Sequence, residues 1–133
     1  MGLYQLENGS ISPLSYYQLA DTPGNGNLYG YSVAYNPNPY GSAGYGLIFG
    51  GAPGANHNSG EVIVTSIDQY GKAAIDLTIT TSTYGWGFGS SVNIVPINYN
   101  KSVLFVGAPT GTGTVYTYSV SYTHLTLPTN REV

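Results

Sequence analysis

Tyr29-Gly30-Tyr31-Ser32-Val33 recurs as Phe88-Gly89-Ser90-Ser91-Val92. Leu47-Ile48-Phe49-Gly50-Gly51-Ala52-Pro53 recurs as Val103-Leu104-Phe105-Val106-Gly107-Ala108-Pro109, and Gly60-Glu61-Val62-Ile63-Val64 as Gly113-Thr114-Val115-Tyr116-Thr117. The offsets, 59, 56 and 53, shrink because the first copy carries three extra residues in each of two loops. Repeated β units tolerate length changes there. A chain built from such copies folds as a row of similar supersecondary units, each needing its neighbours to bury its faces. Gly2-Leu3-Tyr4-Gln5-Leu6 adds a partial copy of the Gly60 segment at an offset of 58, followed by the hairpin signal Asn8-Gly9.

Each full copy reads as four short strands. The first copy places them near Ser15–Ala20, Tyr29–Tyr35, Tyr45–Gly50 and Gly60–Ile67. The second places them near Ala73–Thr81, Phe88–Val95, Ser102–Gly107 and Gly113–Ser119. Tyr, Val, Ile and Thr dominate the apolar runs, Gly (19) and Pro (8) punctuate them, and no stretch keeps a helical period, so the class is all-β. Pro53 and Pro109 must end their strands, because proline cannot donate to a ladder. Gly51 and Gly107 permit a bend or a close backbone approach just before them. Val103-Leu104-Phe105-Val106 is an apolar run expected to be buried on both faces, and Phe49, Phe88, Phe105 and Trp86 are expected in the core.

An aromatic-Gly-x-Ser-Val strand, an apolar strand ending in Gly-Ala-Pro and a Gly-x-Val strand resemble FG-GAP repeats, the units of the integrin α-like β-propeller. The resemblance covers roughly residues 2–120. It implies a partial β-propeller in residues 1–120: two four-stranded antiparallel blades, about 12–67 and 72–120, after a leading strand of a preceding blade. It further implies an extracellular or cell-surface adhesion module, a protein or glycan ligand met by loops, and further blades in the full-length protein. The alternative is a scaffold domain of a larger secreted enzyme whose catalytic part lies elsewhere. Many family members hold calcium between the Ser-Val and Gly-Ala-Pro strands. The corresponding loops here, within residues 36–46 and 96–102, contain no carboxylate. Calcium needs six to eight oxygens, several of them charged. Neither calcium nor any other cofactor is therefore expected.

Residues 121–133 break the repeat. They resemble translated sequencing-adapter sequence, and the expectation is a non-native tail without functional residues.

With 7% charged residues and a net charge of −3, the chain offers no basic stripe for nucleic acid and no polybasic patch for a membrane. It has no apolar run of membrane-spanning length and no signal peptide at the start. Without cysteine there is no thiolate chemistry. His57, the one histidine outside the tail, has Glu61 near in sequence but no nucleophile motif beside it. Asp68 reads as a turn residue, and Asp76 as a solvent-facing position on an alternating strand. No catalytic residue is assigned. Tyrosine, 14 of 133 residues, is the real excess. Tyr35, Tyr40, Tyr45, His57, Tyr84 and Trp86, in or beside loops, are the candidate ligand contacts, because Tyr, Asn and Ser suit binding loops.

Overall fold

The computed structural model describes residues 2–7, 10–16, 26–37, 46–67, 73–81, 87–98, 101–110, 113–121 and 130–132. All sheets are antiparallel. A hairpin of β1 (Gly2–Glu7) and β2 (Ser10–Tyr16) comes first. A four-stranded sheet follows, with β3 (Ser32–Pro37), β4 (Gly46–Ala52), β5 (Glu61–Ile67) and β6 (Ala73–Thr80) side by side in chain order. A second four-stranded sheet orders β7 (Ser91–Asn98), β8 (Lys101–Ala108), β9 (Thr114–Ser121) and β10 (Asn130–Glu132) the same way.

The strand frame differs from the sequence expectation. Ala73–Thr80 belongs to the first sheet, paired with β5, and does not open the second unit. Ser15 and Tyr16 lie in the leading hairpin, not in the first sheet. The units are therefore about 32–80 and 91–132 instead of 12–67 and 72–120. A periodic sequence has no intrinsic first strand; the hydrogen-bonded connections decide where one sheet ends. In the tail, Asn130–Glu132 pairs with Tyr116–Tyr118 as the fourth strand of the second sheet.

The repeat holds in hydrogen bonds as well as in letters. Gly30 N donates to Gly51 O at 3.0 Å, and its counterpart Gly89 N donates to Gly107 O at 3.2 Å. Tyr31 N donates to Leu28 O at 3.0 Å, and Ser90 N to Gly87 O at 2.9 Å.

The two sheets pack face to face, with their closest approach between β3 and β7. Alternation on each strand sends one set of side chains into the interface. The first sheet contributes Ala34, Leu47, Phe49, Val62, Val64, Leu77 and Ile79; the second contributes Val92, Ile94, Leu104, Val106, Ala108, Tyr116, Tyr118 and Val120. Small residues sit where the sheets nearly touch, and tyrosines fill the far side. Phe88, from the link between the sheets, meets Tyr116 edge-on at 5.2 Å and Tyr118 at 6.3 Å between ring centroids. Among the described residues, side-chain hydrogen bonds also join the units: Ser32 Oγ donates to Gly89 O at 2.7 Å, Asn36 Nδ2 to Ser102 Oγ at 3.0 Å, and Thr81 Oγ1 to Tyr116 OH at 3.5 Å.

Strand β4 is buried throughout, whereas β8 alternates. Phe105 is exposed on the outer face of the second sheet, against the expectation of a core position. No described element covers that face, so position in the repeat does not by itself bury a residue.

Among the described residues, the buried Thr65 Oγ1 and Tyr118 OH find no hydrogen-bond partner. Burial, reinforced by neighbouring Tyr116, pushes the Tyr118 hydroxyl up to about 12. An unfolded tyrosine titrates near 10. Between about pH 10 and 12 the unfolded chain loses this proton while the folded one keeps it, so stability falls as pH rises through that window. Tyr118→Phe is expected to stabilise the protein by about 1 kcal/mol at neutral pH, since it removes an unpaired buried hydroxyl. It is also expected to lessen the alkaline loss. Urea unfolding at pH 7 and pH 11 checks both; a less stable variant at pH 7 would refute the assignment.

Candidate functional site

In an antiparallel sheet, successive connections leave from alternate ends. The approaches to β3 and β7 and the β4–β5 and β8–β9 connections gather at one end. The β3–β4 and β7–β8 connections lie at the other.

At the first end, the chain leaves β4 through Pro53-Gly54 into a single turn, α1 (Ala55–Asn58). Asn56, His57 and Asn58 all have left-handed backbone, with φ of 53, 58 and 71°. Asn is among the few residues that enter this region readily. Gly60 N donates to Ala55 O at 2.8 Å and Ser59 Oγ to Asn56 O at 2.7 Å, closing the turn. The next unit is tied on here: Gly87 N donates to Asn58 O at 2.8 Å and Phe88 N to Ser59 O at 3.2 Å. The turn thus holds three exposed polar side chains on a base fixed by both sheets.

Beside it lies a shallow groove of about 280 Å³, lined among others by Leu28, Tyr31, Asn58, Ser90 and Thr110. Tyr31 is 65% exposed and Leu28 55%. Apart from ring and alkyl surface, the named side chains offer amide and hydroxyl groups and no charge. A smaller pocket of about 110 Å³ lies at the opposite end, lined by Tyr35, Ile94, Pro96, Asn98 and Ser102 among others.

The candidate contacts therefore separate. His57 stands on the α1 turn beside the groove, and Tyr35 borders the small pocket at the other end. Tyr40, Tyr45, Tyr84 and Trp86 lie outside the described residues. Glu61, the carboxylate near His57 in sequence, accepts a hydrogen bond from Asn56 Nδ2 at 3.3 Å. Asp68 is outside the described residues. Asp76 is the extra residue of a β-bulge, since Val64 opposes Leu77 while Thr65 opposes Ile75. Among the described residues, no three His, Asp or Glu gather as a metal site.

Sequence reasoning missed Leu28, Tyr31, Asn58, Ser90 and Thr110. Leu28, Tyr31 and Ser90 lie in or beside the repeated aromatic-Gly segments, Thr110 follows the second Gly-Ala-Pro, and Asn58 lies in the loop before Gly60; place in the repeat, not residue type, marks them. No family model matches the chain, and no curated protein matches it.

Proposed function

We propose that the chain is a non-catalytic binding module made of adjoining FG-GAP-type propeller blades, whose ligand is a neutral oligosaccharide held at the α1 end. One observation carries the reading of the site: the groove pairs the exposed Tyr31 ring and Leu28 with the amide of Asn58 and the hydroxyls of Ser90 and Thr110. A sugar presents apolar CH faces and uncharged hydroxyls, and the amphipathic ring of tyrosine and amide groups suit both. The propeller reading draws support from the repeated antiparallel sheets, their face-to-face packing and their closest approach on the β3/β7 side. Blades radiating from a central axis have that geometry. Placement outside the cell follows from the family resemblance.

The test is titration of the full chain against a panel of neutral oligosaccharides. Binding is expected, with Tyr31→Ala and Asn58→Ala each weakening it about tenfold or more, a loss of about 1.4 kcal/mol. Tyr35→Ala, at the opposite end, is expected to leave it unchanged. Failure of the whole panel to bind, or sensitivity only to Tyr35→Ala, would overturn the site. Hydrolysis of a panel member would overturn the non-catalytic reading.

A further inference from the structure

We propose that Leu28 is a specificity-determining residue of the groove, selecting sugars that carry a methyl group beside their hydroxyls. This rests on the neutral-saccharide reading of the groove and names what the sugar must bear. The two aromatic-Gly links make the same turn. Tyr31 N donates to Leu28 O at 3.0 Å in the first, and Ser90 N to Gly87 O at 2.9 Å in the second. The residue that opens the turn has left-handed backbone in both, with φ of 59° at Leu28 and 84° at Gly87. Glycine enters that region freely, whereas a side chain there crowds the following carbonyl oxygen. The second link therefore carries the residue that its backbone favours, and the first carries one that its backbone resists. Burial does not offset the strain, because Leu28 is 55% exposed. Apolar surface left in water gains nothing from the hydrophobic effect. Neither the turn nor the core accounts for leucine at this position; a ligand that covers it does.

The backbone on either side of Leu28 is tied down. Gly54 N donates to Asn27 O at 3.1 Å before it, and the Tyr31 N–Leu28 O hydrogen bond closes the turn after it. Leu28 shares the groove with the 65% exposed ring of Tyr31 and with the side chains of Asn58 and Ser90. The CH face of a sugar suits the tyrosine ring, and its hydroxyls suit the amide and the serine. A branched aliphatic side chain complements neither hydroxyls nor an amide. It complements a methyl group, whether that of an acetamido substituent or that of a deoxy sugar with methyl in place of hydroxymethyl. These are two sources of one chemistry.

Titration of the full chain with three trisaccharides of one linkage tests the assignment. They are built from glucose, from N-acetylglucosamine, and from the deoxyglucose with methyl in place of hydroxymethyl. At least one methyl-bearing trisaccharide is expected to bind about fourfold or more tighter than the glucose one, the gain from burying a single methyl. Which of the two does so identifies the source of the methyl. Leu28→Asn keeps the size of the side chain, enters the left-handed region readily and removes the apolar surface. It is expected to bring the affinity ratio to about one, because an amide gains nothing from a methyl. Its urea midpoint of unfolding is expected to equal or exceed that of the parent. A parent that does not discriminate, or a preference that survives Leu28→Asn, would overturn this proposal and leave the saccharide reading of the groove standing. A lowered midpoint for Leu28→Asn would also overturn it, because the leucine would then serve the fold. Failure of every neutral oligosaccharide to bind would overturn the reading of the groove itself, and this proposal with it.

Discussion

Gly60→Ala is expected to cost about 2–4 kcal/mol, and the same change at the counterpart Gly113 about 1 kcal/mol. Both glycines have left-handed backbone, with φ of 90 and 77°. Both variants therefore carry the penalty of placing a side chain where L residues rarely go, about 1 kcal/mol or somewhat more. They differ in what stands opposite. A Cβ at Gly60 would run into the carbonyl and amide of Phe88, backbone atoms fixed by the Gly60–Phe88 bridge and the Phe88 N–Ser59 O hydrogen bond. A Cβ at Gly113 would meet only Pro109 O, at 3.9 Å, an ordinary contact. Neither backbone segment at Gly60 can yield without parting the sheets, and overpacking of that kind adds about 1–3 kcal/mol. A total loss of that size approaches the whole stability of a marginal domain. Urea unfolding of both variants beside the parent measures the gap. Equal losses would mean that Gly60 is needed for its own turn alone and not for the junction.

Phe88→Ala carries the second large effect, about 3–5 kcal/mol. The ring is fully buried between units, edge-on to Tyr116 and Tyr118. It belongs to the link and not to either sheet, so its removal empties the junction while leaving every ladder hydrogen bond in place. Phe88→Leu retains much of the apolar surface and is expected to lose about half as much. The two variants separate lost packing from a broken link. If alanine and leucine were equally harmless, the junction would not rest on this ring.

Both large effects fall on motifs that were legible in the sequence. The aromatic-Gly and Gly-Ala-Pro segments recur because Gly51, Gly60 and Gly89 lie where backbone of one unit meets backbone of the next, and only glycine leaves room. What was not legible depends on neighbours. Phe49 and Phe105 are the same residue at the same repeat position, yet one is buried and the other exposed. Local sequence specifies the strand face but not whether another sheet lies on it. The strand frame shifted for a related reason, since any starting strand describes a period equally well. Tyr35 and His57 were grouped by composition, although the alternation of hairpin ends already sends their loops to opposite sides of an antiparallel sheet. The groove escaped notice because Leu28 and Tyr31 carry no chemical signature; they matter through their place at the repeated link.

The face-to-face packing of the two sheets supports every reading above, and a proton–proton NOE spectrum of the intact chain tests it most directly. Cross-peaks are expected between the Asn36 side-chain amide and the Ser102 methylene, whose polar atoms lie 3.0 Å apart across the interface, and between Gly60 and the Phe88 backbone. Strong cross-strand peaks within each sheet without these two contacts would contradict that packing, because they would show two formed sheets that do not meet.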